Sequence, residues 1–162
     1  MEIINKLSER WKNIDYPFFI HSKGKLHFNQ ITNQKSIDLS KVNSGDVVAL
    51  IGDFNPQSIL TLLQLIDKNV ILVPLTIDTR EQHDYFFDSA KVDVIIEGDD
   101  VKRIEHSNRH KFIEDLRDKN HAGLVLFSTG TTGRPKAILH DLTLFMKRFE
   151  TPRPTLKTIN FI

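Results

Sequence analysis

Apolar residues in the central part of the chain follow two patterns, one typical of buried strands and the other of helices. Continuous apolar runs at 46–52, 70–76 and 92–96 predict strands that are buried on both faces. After the first run, Asn55 and Pro56 supply a capping residue and a first-turn proline, and apolar residues then recur at helical spacing. After the second run, 79–82 reads as a capping box that starts another helix. This alternation predicts an α/β fold.

The flanking regions extend the same fold. The predicted architecture is an N-terminal helix and a β-hairpin, followed by a mainly parallel sheet flanked by helices. Outside the three central strands, the patterns predict a helix at 2–12, a hairpin within 18–28, a loop or short helix at 29–41, an edge strand at 101–105, a helix at 111–119 with Phe112, Ile113 and Leu116 inward, strands at 124–127 and 137–139, a helix at 142–149 and a strand at 155–162.

A glycine- and hydroxyl-rich segment follows the apolar run at 124–127. It reads Phe127-Ser-Thr-Gly-Thr-Thr-Gly-Arg-Pro-Lys136. Its glycines permit positive φ and close approach to an anion, and successive N–H groups can form a concave nest. Its hydroxyls can hydrogen-bond anionic oxygens, and its lysine supplies a mobile positive charge. The candidate phosphate-binding residues are Ser128, Thr129, Gly130, Thr131, Thr132, Gly133 and Lys136.

The spacing of this segment differs from that of one known type of phosphate loop and is similar to that of another. A Walker A element, G-x-x-x-x-G-K-S/T, places lysine directly after a glycine, which disfavours a P-loop NTPase. The segment instead resembles the phosphate loop of AMP-forming acyl-CoA synthetases and related adenylate-forming enzymes, S/T-S-G-T-T-G-x-P-K-G. Thr129 replaces the usual serine, and Ala137 replaces the usual glycine. The segments at 45–50 and 70–75 also look like early strand segments of that family.

The resemblance implies an ATP-dependent reaction in two steps. A carboxylic acid and ATP form an acyl-adenylate and pyrophosphate, and a thiol, that of CoA above all, then displaces AMP. The residues from Ser128 to Gly133, with Lys136, match the loop that holds the β- and γ-phosphates, and Lys136 is the implied catalytic residue. The family's Mg²⁺ ligand, acyl pocket and later catalytic lysine have no counterpart here. We therefore expect residues 1–162 to be the N-terminal part of an AMP-binding domain that is truncated at its C-terminus, binds phosphate at most and is inactive alone.

Two alternatives remain open at this stage. The first is an adenylation enzyme that loads a carrier-protein thiol, and the second is a non-catalytic anion-binding or scaffold module. The last residues, 159–162, lie inside an apolar run, which leads us to expect a longer natural sequence.

Composition narrows the other possibilities. The 162 residues carry a formal net charge of +1 with dispersed basic residues, so nothing indicates a nucleic-acid partner. Absence of cysteine excludes disulfides and thiolate metal sites. Without a signal-peptide pattern or an apolar run of membrane-spanning length, we expect a cytoplasmic protein. His106 and His110 have metal-site spacing without a third ligand, His140 lies near the loop, and the pair at 102–103 is interpreted as a solvated face. No metal site is predicted within the chain.

Overall fold

The computed structural model describes residues 2–21, 24–104, 108–128 and 133–151. The helices in these ranges are α1 (Glu2–Trp11), α2 (Phe28–Thr32), α3 (Pro56–Asp67), α4 (His83–Ala90), α5 (Lys111–Asp118) and α6 (Leu142–Lys147), and a 3₁₀ helix at Ile77–Gln82 precedes α4. The strands are β1 (Phe19–His21), β2 (Gly24–Leu26), β3 (Val47–Ile51), β4 (Ile71–Leu75), β5 (Val94–Glu97), β6 (Asp100–Arg103), β7 (Gly123–Ser128) and β8 (Lys136–Asp141).

A six-stranded sheet forms the centre of the fold. Its order is β6-β5-β3-β4-β7-β8, while β1 and β2 pair separately as a hairpin. The four inner strands run parallel, and β6 and β8 pair antiparallel at the two edges. This arrangement confirms the predicted mainly parallel sheet flanked by helices.

Helices cover both faces of the sheet. On one face, alternate residues of β3 and β4 pack against Phe86 of α4 and against Ile113 and Leu116 of α5. On the other face, the intervening residues pack against Leu65 of α3. All five residues of β3 are buried, which explains its continuous rather than alternating apolar sequence.

Helix α3 is enclosed on two sides. Leu65 faces the sheet, whereas Leu60 and Leu63 belong to a separate cluster with Ile4 of α1 and Ile31 of α2. The N-terminal helix and hairpin therefore form an outer layer beyond α3 rather than a separate unit. The Asn55 side chain accepts a hydrogen bond from the Ser58 N–H at 2.9 Å, as its sequence position predicted.

The contact between β4 and β7 is short. Their register pairs Ile71 with Gly123 and Leu72 with Leu124, and no further residues. Alternate residues of a parallel strand bond to opposite neighbours, and the Gly123 N–H donates to the Val70 carbonyl, so Pro74 has the parity that faces β7. Because proline has no N–H to donate, β4 cannot continue the ladder at Pro74, and β7 continues paired with β8 alone.

Two buried aspartates tie the amino ends of the strands to later segments. Asp46 accepts two hydrogen bonds from the Arg103 guanidinium, at 2.6 and 3.2 Å. Asp93 accepts from the Val47 N–H at 2.8 Å and from Arg109 at 2.7 Å. Lys102 and Arg103 are exposed, as the interpretation of 102–103 as a solvated face expected, but Arg103 also pairs with Asp46, and this hydrogen bond raises its pKa.

Two local predictions are wrong. Thr79 does not begin a helix through a capping box, because it lies inside the 3₁₀ helix and its hydroxyl donates to the Thr76 carbonyl at 2.9 Å. Phe112 does not face inward, since its side chain is 61% exposed and packs on the His110 ring, whereas Ile113 and Leu116 are buried. The segment 29–41 contains α2 and is otherwise irregular, and the strand predicted at 155–162 lies outside the described residues.

Candidate functional site

The glycine- and hydroxyl-rich segment connects two antiparallel strands. Ser128 is the last residue of β7, Lys136 is the first residue of β8, and the two are register partners. The predicted residues Thr129, Gly130, Thr131 and Thr132 lie outside the described residues. Gly133 is described and has φ of +145°, a conformation that favours glycine. The two ends of the predicted loop are thus brought together by the sheet itself.

The loop leaves the sheet at its carboxyl edge. Because β7 runs parallel to β4, the end of β7 lies on the same edge as the ends of β3 and β4. In open α/β sheets, ligands bind outside the carboxyl ends of the strands. The segment therefore begins at the edge of the sheet where such folds bind ligands.

Lys136 presents an available positive charge. Its side chain is exposed, and it forms no ion pair with any residue in the described ranges. Arg134, two residues earlier, is also exposed. Two cationic side chains at the exit of the loop favour binding of an anion there.

Helix α4 supports the exit of the loop. The Tyr85 hydroxyl donates a hydrogen bond to the Pro135 carbonyl at 2.8 Å. The Arg134 guanidinium lies over the Tyr85 ring, 5.4 Å from its centroid. One residue further along α4, Phe86 stacks on Phe127 with 4.2 Å between ring centroids. Both ends of the predicted loop are consequently packed on one helix.

Helix α4 is in turn fixed to the end of β4. His83 is buried, and its Nε2 lies 3.1 Å from the Thr76 carbonyl, to which it must donate because a carbonyl only accepts. The Thr79 hydroxyl lies 3.2 Å from the same ring nitrogen. A chain of contacts thus runs from the carboxyl end of β4 through α4 to the exit of the loop.

Sequence reasoning missed the supporting residues Tyr85 and His83. The Tyr85 hydrogen bond joins residues fifty positions apart, so it leaves no local signal in the sequence. His83 is buried at the first position of α4, whereas the capping-box prediction started this helix at 79–82.

The remaining candidates have local structural roles in the described ranges. The His110 ring accepts a hydrogen bond from the Phe112 N–H at the start of α5. His106 lies outside the described residues, and within them no group of three or more histidine and acidic side chains is arranged to hold a metal ion. His140 is exposed on β8 opposite Leu124 and not in a cleft with Lys136.

A polar cavity lies away from the loop. It has a volume of about 400 Å³ and is lined by Gly45, Asn69, Arg109 and Arg117, among others, and these lie near the amino ends of the strands. Its arginines already pair with Asp93 and Glu114. This cavity is therefore at the opposite edge of the sheet from the loop, and its charges are largely compensated.

Comparison with solved structures identifies proteins with a similar fold. Residues covering 94% of the chain match 43% of the Klebsiella oxytoca NpsA N-terminal subdomain in complex with anthranilyl-AMSN, with a TM-score of 0.62 and 19% identity. VinN in complex with L-aspartate matches with a TM-score of 0.59 and 14% identity, over 88% of this chain and 47% of that one. NpsA-ThdA, an artificially fused adenylation–PCP di-domain from Klebsiella oxytoca, matches with a TM-score of 0.59 and 20% identity, over 85% of this chain and 31% of that one.

These matches define a fold class. The chain has the fold of part of the N-terminal subdomain of adenylation enzymes, and it spans less than half the length of the structures that it matches. No protein-family model and no curated protein matches the sequence. In the described ranges, no helix has both the length and the apolar character needed to cross a membrane.

Proposed function

We propose that this chain supplies the phosphate-binding part of an adenylate-forming enzyme. The observation that carries the proposal is the pairing of Ser128 with Lys136 at the carboxyl edge of a sheet that adenylation enzymes share. This pairing brings the two described ends of the Gly/Thr-rich segment together, which supports a phosphate-binding role for it. One NpsA match was solved with 3-hydroxyanthranilyl-AMSN, an acyl-AMP analogue, which supports the same chemistry.

The reaction begins with attack of a substrate carboxylate on the α-phosphate of ATP. The bond from the α-phosphorus to the bridging oxygen breaks, and pyrophosphate leaves with additional negative charge. In this proposal the hydroxyls and N–H groups of 128–133 hold the β- and γ-phosphates, and Lys136 stabilises the charge that develops on the leaving group. Mg²⁺ would supply further neutralisation, and the family resemblance implies that its ligand is not among residues 1–162.

The proposal includes two possible acceptors of the acyl group. CoA is the acceptor that the sequence resemblance implies. A carrier-protein thiol is the alternative acceptor, and one of the matched structures is an adenylation domain artificially fused to a PCP domain. In either case the thiol attacks the acyl-adenylate and displaces AMP. Incubation of the full-length protein with ATP, a panel of carboxylic acids and either CoA or a phosphopantetheinylated carrier protein distinguishes the two acceptors.

We also propose that residues 1–162 are the N-terminal part of a larger adenylation domain. The matched NpsA subdomain is more than twice as long as the region that this chain covers. The proposal predicts no ATP–pyrophosphate exchange by residues 1–162 alone and measurable exchange by the full-length protein. Exchange by the 162-residue chain would show that the acid-binding and metal-binding groups lie within it.

Lys136→Ala in the full-length protein tests the catalytic part of the proposal. Loss of a positioned transition-state donor is expected to lower the rate of ATP–pyrophosphate exchange by about a hundredfold or more. Lys102→Ala is the matched control, because Lys102 is exposed on β6, the edge strand on the opposite side of the sheet. An unchanged exchange rate in the Lys136 variant would remove this lysine from the mechanism. Absence of exchange in the unchanged full-length protein would instead favour a non-catalytic anion-binding module.

A further inference from the structure

The exit of the predicted phosphate loop is held by one side chain from another element. Tyr85, on α4, donates its hydroxyl proton to the Pro135 carbonyl at 2.8 Å and carries the Arg134 guanidinium over its ring. The Tyr85 side chain is half-buried, so its ring is packed while its hydroxyl reaches the loop. Two consecutive loop residues are therefore held by the same tyrosine.

The position of this contact matters because of backbone geometry. The Pro135 carbonyl and the Lys136 N–H belong to one planar peptide unit. Fixing the carbonyl oxygen therefore fixes the direction in which the Lys136 backbone begins. Proline also restricts φ on the preceding side, so few torsions remain free between Arg134 and Lys136. The lysine side chain then starts from a defined point.

Helix α4 also supports the strand that leads into the loop. Phe86 is buried and stacks on Phe127, the residue before Ser128. Consecutive residues of α4 thus contact Phe127 in β7 and Pro135, the residue before β8. The separation and relative orientation of Ser128 and Lys136 are set by this helix as well as by their pairing.

We propose that Tyr85 is a positioning residue for polyphosphate binding, acting through the Pro135–Lys136 peptide unit. The inference rests on the proposed function of the loop and adds to it a residue outside the sequence motif. Tyr85 does not itself contact the anion. Its hydroxyl reduces the conformations open to the loop exit before the anion arrives, so less freedom is lost on binding.

The test uses the 162-residue chain, with Mg²⁺-free tripolyphosphate as the probe and isothermal titration as the binding measurement. Tyr85→Phe keeps the ring and removes the hydroxyl, and one lost hydrogen bond is expected to weaken binding about fivefold. Tyr85→Leu also removes the ring beneath Arg134 and should weaken binding further. The chain has two tyrosines, so Tyr16→Phe, beside Trp11 in the outer layer, is the matched control and should bind as the unchanged protein does.

A second measurement separates positioning from general stability. In Tyr85→Phe, amide hydrogen exchange of a peptide covering 133–137 should be about fivefold faster in the absence of ligand, while peptides from β3 and α3 exchange as before. Uniformly faster exchange across the chain would show a merely structural role and overturn the inference.

The outcomes distinguish this inference from the function on which it rests. Weaker tripolyphosphate binding with locally faster exchange supports the positioning role. Equal binding by the unchanged protein and by Tyr85→Phe overturns the positioning role and leaves the phosphate loop in place. If the unchanged protein binds no tripolyphosphate, the proposed function of the loop fails, and the positioning role fails with it.

Discussion

Replacement of Asp93 by alanine removes the acceptor that joins β3, β5 and the segment before α5. The Asp93 side chain is buried and accepts from the Val47 N–H at 2.8 Å and from the Arg109 guanidinium at 2.7 Å. A hydrogen bond to a charged group contributes about 1.5–3 kcal/mol, and removing one partner of a buried ion pair costs about 3–5 kcal/mol. Arg109 is 26% exposed and keeps Glu114 nearby, which reduces the loss. We expect a decrease of about 3 kcal/mol in the free energy of unfolding.

The measurement is urea unfolding of the 162-residue chain, followed by circular dichroism at neutral pH. Asp93→Asn is the informative companion, because its amide oxygen still accepts from Val47 while the charge opposite Arg109 is lost. It should cost about half as much as the alanine variant. Asp99→Ala is the control, since Asp99 pairs with Lys35 across 3.7 Å with both side chains largely exposed, and it should change stability by less than about 0.5 kcal/mol. A loss below about 1 kcal/mol for Asp93→Ala would refute this account of the buried pair.

Two further predictions concern the loop and α6. Gly133→Ala should weaken tripolyphosphate binding several-fold. Gly98 also has positive φ and open space at the position of a Cβ, so Gly98→Ala should lower stability by a similar amount, about 1 kcal/mol, without changing binding. Equal binding by the two variants would contradict a role for Gly133. Asp141 caps α6, and although burial opposes its ionisation, hydrogen bonds from His121 and the Leu144 N–H lower its pKa. The contribution of the Asp141 carboxylate to stability should therefore be present above the ordinary pKa of 3.8 and disappear as pH falls below that value. In urea unfolding at a series of pH values, Asp141→Asn should be about 1 kcal/mol less stable than the unchanged protein near pH 6. In acid the two proteins should be equally stable. A difference that persists in acid would contradict this assignment.

The central strands and α3 were predictable because their sequences reflect burial directly. Every residue of β3 is buried, so no polar position interrupts the run, and the Asn55 cap acts through a bond to Ser58 only three residues away. The phosphate-binding role of the loop stays a prediction, because residues 129–132 lie outside the described residues. Its position at the carboxyl edge is known from the parallel pairing of β7 with β4, which the sequence did not predict.

The failed and missing predictions share a dependence on distant or competing partners. Arg103 is exposed, as expected, but the sequence did not show its pairing with Asp46, which lies fifty-seven positions away. Thr79 was assigned to a capping box, yet its hydroxyl bonds to the Thr76 carbonyl inside a 3₁₀ turn. Phe112 is adjacent to the buried Ile113, and adjacent helix positions differ in direction by about 100°. The pattern of polar and apolar positions alone does not decide any of these outcomes.

The early end of the β4–β7 ladder at Pro74 has a consequence for how the molecule opens. The parallel sheet is continuous from β5 to β4, while β7 and β8 form a ribbon joined to it at two register positions. Such a ribbon is suited to be a separate cooperative unit, with an opening free energy below that of the whole chain. Its order then depends on its contacts with α4 and α6 as well as on its neighbour in the sheet. An anion bound in the loop would accordingly protect this unit first from local opening. It would raise the melting temperature of the entire molecule only slightly.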